Sequence, residues 1–162
     1  MSRPQSRETV SRRMATVGSH NTGPERSVRS VIHRYGVRFR LKNRDLPGSP
    51  DLANRSQRWA VFVHGCFWHS HRGCPRATQP KTNRRYWQTK FRVNQARDAG
   101  AVRRLRRQGF RVLVLWECEL RSTRSERRIQ AFFGLTSAAF PTVPRLAQFL
   151  HPHTPARRWS TR

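Results

Sequence analysis

The chain has 162 residues, 34 of them Lys or Arg and 8 Asp or Glu, for a formal charge of +26. So basic a balance points to a polyanion: many cations on phosphates give strong, salt-sensitive, sequence-blind affinity, which makes nucleic acid the expected partner and a membrane surface the weaker one. The length and the 35% hydrophobic content suit one domain with a modest core, and three cysteines, an odd number, argue against a closed disulfide set and for reduced thiols or metal ligation.

Residues 1–20 are basic and poor in apolar side chains, with no stretch that could serve as a signal-peptide core or a membrane span. They read as a flexible arm that orders on DNA, although an organelle transit peptide shares this composition. Thr22-Gly-Pro-Glu25 predicts a helix start, with Thr22 as N-cap, Pro24 just inside and Glu25 as a capping-box partner. Val28, Val31 and Ile32 form its apolar stripe, and Gly36 ends it. Val37–Leu41 alternates like a half-buried strand, and Leu46-Pro-Gly-Ser-Pro50 is a turn leading into Asp51-Leu-Ala. Trp59–His64, β-branched and aromatic, is a further strand joined to it by a hairpin-length connection. From Arg84 to Arg107 the period turns helical, with Trp87, Phe91, Gln95, Asp98, Val102 and Leu105 on one face; Gly109 stops it. Arg111–Trp116 is a continuous apolar run, as in a strand covered on both sides, and a helix follows from about Ser125 to Phe133. The result is a single α/β domain over 21–134, with a poorly defined basic extension over 135–162.

The segment VFVHGCFWHSHRGC (61–74) concentrates the chemistry. His71 and Cys74 offer a nitrogen and a sulfur within reach of one ion, and Cys118 directly follows a buried strand. A closed tetrahedral zinc site needs one more ligand. Asp98 is the candidate, because it lies on an apolar helix stripe where an unpaired carboxylate is expensive to bury. Spacing equally allows a bland reading: Cys118 as a small core residue, Asp98 paired with an Arg and His71 as loop surface. Cys66, left over, is read as a packed thiol without a chemical role.

Asp51 starts one expected strand and His64 ends the next, so a hairpin brings them into one neighbourhood. A carboxylate beside a main-chain carbonyl suits Mg2+, the arrangement of metal-assisted phosphodiester hydrolysis, with His64 and His69 as proton carriers. Glu25 is either a third contributor, through a metal-bound water, or simply a capping residue. Taken singly, His64 reads as a strand-end histidine and Asp51 as a turn aspartate; their coincidence favours a site. Phe67 and Trp68, and Trp87 set among Lys81, Arg84, Arg85 and Lys90, have the pattern of a base-stacking wedge that would unstack a duplex most readily at a mismatch. Ordinary core packing is the alternative for each.

Taken together, SRRMATVGSHNTGPE (11–25), LPGSPD (46–51), VFVHGCFWHSHRGC (61–74), KTNRRYWQTKFRVNQARD (81–98) and GFRVLVLWECELR (109–121) resemble the very short patch repair (Vsr) DNA mismatch endonucleases. The resemblance implies a restriction-endonuclease-like (PD-(D/E)XK-related) α/β fold, with a mixed central sheet flanked by helices and a structural zinc. It implies Mg2+-dependent nicking of duplex DNA on the 5′ side of the thymine of a T:G mismatch left by deaminated 5-methylcytosine. By position it makes Asp51 the Mg2+ carboxylate and Val63 the residue whose main-chain carbonyl meets the same ion. It makes His64 and His69 the catalytic histidines, Glu25 the accessory acid and Phe67, Trp68 and Trp87 the intercalating aromatics. His71, Cys74, Asp98 and Cys118 become the Zn2+ set. Val63 stands where a Thr is often found, one extra residue separates His71 from its cysteine partner, and the region beyond Arg121 carries no matching motif. The enzyme implied is a monomeric, cytoplasmic, nucleoid-associated protein of bacterial type, with double-stranded DNA and possible repair proteins as partners and no membrane. The alternatives are a zinc-stabilised DNA-binding module without catalysis and a restriction-type nuclease of other specificity.

Overall fold

A computed structural model describes residues 21–135; the arm expected over 1–20 and all but the first residue of the extension expected over 135–162 lie outside them. Helix α1 spans Gly23–Arg34. Thr22 caps it as the sequence predicts, its hydroxyl accepting from the Glu25 N–H, with Pro24 in the first turn. Val28, Val31 and Ile32 are fully buried, and Gly36 takes a left-handed φ of 69° where the helix ends.

Strands β1 (Leu52–Asn54), β2 (Trp59–His64) and β3 (Arg111–Trp116) form a mixed sheet in the order β1-β2-β3. β1 pairs antiparallel to β2, with Leu52 opposite Val61; β2 pairs parallel to β3, from Trp59 opposite Arg111 to His64 opposite Trp116. Helix α2, Arg84–Arg107, forms the crossover between β2 and β3. A short 3-10 turn over Glu117–Arg121 leads into α3, Thr123–Phe133. α3 starts two residues before the expected Ser125, because the Ser122 hydroxyl accepts from the Arg124 N–H.

Strand parity divides the core in two. Leu52, Trp59, Val61, Leu113 and Leu115 pack with Val28, Val31 and Ile32 of α1, Leu120, and Ile129 of α3. Ala53, Ala60 and Phe62 share the opposite face with Val112, Val114 and Leu105 of α2. Both faces being covered, β2 and β3 read as apolar runs rather than alternations. His64 and Trp116 continue the α2 side by parity, and α2 carries Asp98.

The strand expected over Val37–Leu41 is reduced to a single bridge, Arg40 to Ala53. Lys42 turns the chain away at φ 56°, and the buried Asn43 amide donates to the carbonyls of Arg40 (2.9 Å) and Pro50 (3.1 Å). Asn43 thus closes the 40–50 loop and sets where Asp51 enters the sheet. Gly48 lets that loop sit on α2: its φ is 75°, and a Cβ there would lie 2.5 Å from the Ala101 Cβ. No helix among the described residues is long and apolar enough to cross a membrane.

Candidate active site and metal centre

β2 delivers His64 to the mouth of a tight loop. The loop closes on itself through His69 N–H to the Gly65 carbonyl (3.2 Å) and His71 N–H to the Cys66 carbonyl (2.9 Å). α2 holds it from outside: the Asn94 amide donates to the Trp68 carbonyl (3.0 Å), and the Gln95 amide to those of His69 and Ser70 (3.3 and 3.2 Å). The turn brings His69 back onto His64, imidazole centroids 4.0 Å apart and planes 3° apart.

Behind His69 stands Asp98, its carboxylate hydrogen-bonded to Nδ1 of the imidazole. Burial raises the Asp98 carboxyl, but the hydrogen bond and charge of His69 outweigh it and hold the group below the usual carboxylate range. Asp98 was expected among the zinc ligands; the structure places it with the histidines instead. The physical reason is that α2, clamped to the loop by Asn94 and Gln95, presents its carboxylate to the imidazole, which supplies the donor that a half-buried acid needs. A ring whose Nδ1–H is given to a carboxylate keeps Nε2 free to accept a proton. Burial, then the neighbouring His69, lower the His64 pKa to about 4, so it is neutral at physiological pH. His64, His69 and Asp98 have ligand atoms within 4.8 Å of one another. The two imidazoles are parallel and stacked, so their lone pairs run in separate planes and do not converge on one ion without ring rotation.

Asp51 precedes β1, and its Oδ2 accepts from the Val63 N–H at 2.8 Å, one residue before His64. Burial pushes its pKa up to about 6; the Val63 N–H and Arg29 oppose the rise, and the negative Glu25 adds to it. A strand residue projects its N–H and C=O to the same side. The Val63 carbonyl therefore faces the Asp51 side, beyond the last pair of the β1–β2 ladder at Leu52 and Val61. Glu25, 5% exposed, is fixed by Arg29 (2.8 Å), the Thr22 hydroxyl (2.9 Å) and the Asn21 N–H (2.8 Å). It is thus both part of the helix cap and an electrostatic neighbour of Asp51. A half-buried carboxylate, raised first by desolvation and further by a second acid, with a strand-end carbonyl alongside, fits a hard cation such as Mg2+.

Cys66, His71, Cys74 and Cys118 bring one ligand atom each to within 4.8 Å of the others. The Sγ atoms of Cys118 and Cys66 lie 3.4 and 3.7 Å from His71 Nδ1. Cys66, which by sequence reads as a packed thiol without a chemical role, stands in this cluster where Asp98 is expected. Cys66 is fully buried, as a packed thiol would be, and burial pushes its pKa up to about 12. The return of the chain at His71 nonetheless aims it at the other sulfurs. Three thiols and an imidazole are the donor set of a closed tetrahedral zinc site.

Phe67 packs edge-on to Trp68, Trp87 and Phe91, at centroid distances of 5.2, 5.5 and 5.5 Å. Phe67 and Trp68 are half-buried at the surface, but Trp87 is 4% exposed. Trp87, expected beside them as an intercalator, is instead the floor on which they rest, because it shares the apolar stripe of α2 with Phe91 one turn on. The exposed aromatic of that turn is Tyr86, at 57%. Asn94, Asn43 and Trp116 contribute to the geometry although the sequence marks none of them for a site, Trp116 reading there only as the end of a buried strand.

Comparison with known proteins places this geometry. Residues 4–76 match the family described as DNA mismatch endonuclease Vsr. The type II nicking enzyme V.XorIIP of Xanthomonas oryzae is 50% identical over 107 residues, which cover 66% of this chain and 78% of that protein. The DNA mismatch endonuclease Vsr of Escherichia coli is 37% identical over 113 residues, 70% of this chain and 72% of its own. The type II nicking enzyme V.NmeAIP of Neisseria meningitidis is 37% identical over 109 residues, 67% and 77%. With half its aligned residues shared with one such enzyme across most of that enzyme's length, the chain belongs to the Vsr DNA mismatch endonuclease family and is a DNA endonuclease.

Proposed function

We propose that this endonuclease nicks one strand of duplex DNA on the 5′ side of the thymine of a T:G mismatch, with Mg2+ as catalytic cofactor, Zn2+ as structural cofactor and a restriction-endonuclease-like fold. The nicking names of two relatives and the mismatch name of a third support the substrate class. The observation that carries the chemistry is the Asp98–His69–His64 arrangement at the end of β2, one residue beyond the peptide that holds Asp51.

Asp51 and the Val63 carbonyl would hold Mg2+, with Glu25 behind them. When bound, the ion polarises the phosphate and stabilises charge on the departing oxygen. The chain's own residues handle the protons. His69, oriented by Asp98, accepts a proton from the attacking water at Nε2 as that water's oxygen bonds to phosphorus and the strand P–O bond breaks. His64, stacked on His69, fixes the plane of that ring and is itself kept neutral by burial and by the charge that His69 takes up. Cys66, His71, Cys74 and Cys118 would hold Zn2+, stapling the loop to the end of β3 in a domain with a small core. Phe67 and Trp68 would enter the base stack, where a mispaired step is the least costly to open.

The test is a nicking assay with Mg2+ on T:G and T:A duplexes of one sequence, in a panel of flanking contexts. Nicking confined to T:G, and lost in Asp51→Ala with DNA binding retained, is expected. Binding without nicking at any Mg2+ concentration would make the protein a DNA-binding module, and equal cutting of both duplexes a general nuclease.

A further inference from the structure

Trp116 closes β3 in register with His64, the last residue of β2. On one side its indole lies flat on His71, ring centroids 3.9 Å and planes 4° apart. Its ring stands nearly perpendicular to the other two imidazoles, 5.3 Å and 79° from His64, 6.4 Å and 77° from His69. Two residues further on is Cys118, whose sulfur meets the same His71. One indole therefore touches both a member of the thiol–imidazole cluster and the histidine pair. His64 is buried and the other three rings are half-buried along one cleft; the flat stack of His71 on Trp116 leaves no room between them, so a shift of the His71 ring moves the plate against which His64 and His69 rest.

We propose that Trp116 is a positioning residue that couples the Cys66/His71/Cys74/Cys118 centre to the His64–His69 pair, so that the metal centre sets the imidazole geometry needed for nicking. The inference rests on reading His69 as the proton carrier and His64 as the ring that holds its plane. His71 Nδ1 faces sulfurs at 3.4 and 3.7 Å, hydrogen-bond distances for sulfur, but a thiol is a weak donor and holds a ring plane far less firmly than a metal–nitrogen bond would. A metal held there would fix it, and the stacked indole would carry that constraint across to the pair. The cluster is then more than a fold staple.

The full-length, zinc-loaded chain is compared with Trp116→Leu and Trp116→Phe by single-turnover nicking of a T:G duplex, affinity for that duplex, zinc per chain and NMR of the histidine ring protons. Trp116→Leu should keep its zinc and its DNA affinity but nick roughly 10- to 100-fold more slowly, the effect of misplacing a reacting group by about 1 Å. Trp116→Phe, which keeps an aromatic plate, should recover most of that loss. Independently of activity, exchanging Zn2+ for the larger Cd2+ should move the His64 and His69 ring resonances in the parent, and removal of the indole should suppress that response. Should Trp116→Leu fail to fold, the Cd2+ exchange in the parent and the Phe variant decide. Unmoved resonances in the parent, an unchanged rate in Trp116→Leu, or equal losses in the Leu and Phe variants would overturn the coupling. A parent that never nicks T:G, while its histidine resonances still follow the metal, would sink the functional reading and leave the coupling standing.

Discussion

Replacing Asp51 with Asn should abolish nicking and, away from Mg2+, make the protein more stable. Burial and the Glu25 charge raise the Asp51 carboxyl from 3.8 to about 6. At about 1.4 kcal/mol per pH unit, carrying the ionised form into the fold costs at most about 3 kcal/mol at neutral pH. Asn is neutral and keeps an oxygen for the Val63 N–H, so it should recover about 1–3 kcal/mol, a rise in Tm of roughly 4–12 °C for a domain of this size. The pH dependence has a definite sign. A carboxyl whose folded pKa is raised contributes stability that is fully present below 3.8 and lost as pH rises through about 6. The advantage of Asp51→Asn should therefore be small at pH 4 and complete by pH 7.5. Thermal melts of both zinc-loaded proteins at the two pH values, without added Mg2+, measure it. Millimolar Mg2+ should then raise the Tm of the parent and leave the variant unmoved. An Asn variant that is less stable at pH 7.5, or a difference independent of pH, would refute the buried-carboxylate argument.

Asp98→Asn and Cys66→Ser should separate the two clusters: the first keeps its zinc while nicking falls by roughly 10²- to 10⁴-fold, and the second lowers bound zinc and solubility, both read by metal analysis beside the nicking assay. Trp68→Ala should weaken mismatch cutting more than binding to undamaged duplex. Trp87→Ala, which removes a buried floor, should instead cost about 3–5 kcal/mol of stability in a denaturant titration; a Trp87→Ala variant of parental stability would show that ring to be unburied. Gly48→Ala adds a left-handed φ that Ala disfavours to a clash with Ala101 and should destabilise by about 2–4 kcal/mol, measured by the same titration.

Much of this architecture was legible because local rules and tertiary demand agree. Thr22, Pro24 and Gly36 bracket α1 by cap chemistry that works whatever the helix packs against, and the stripe from Trp87 to Leu105 marks α2 because one face has a sheet to cover. Val37–Leu41 reads as a strand because alternation says nothing about a partner: Arg40 exchanges both of its backbone hydrogen bonds with Ala53, and Lys42 then turns the chain away in a left-handed conformation. Cys66 and Asp98 exchanged places for a related reason. Spacing reveals which ligands lie near in sequence, whereas the return of the chain at His71 and the clamp of α2 on the loop decide which way each side chain faces. Trp87 is the same case in miniature, since cations around an indole in sequence do not say whether helix phase turns it toward them or toward Phe91.

Asn94 and Gln95 are adjacent on α2, yet the first grips the peptide of an aromatic that would probe the base stack and the second the peptide of an imidazole that would move the proton. Reader and reagent are bolted to a single rod. On the function proposed above, a duplex that pushed the wedge aside would move the reacting ring with it, so poor seating would cost alignment at the phosphate as well as grip.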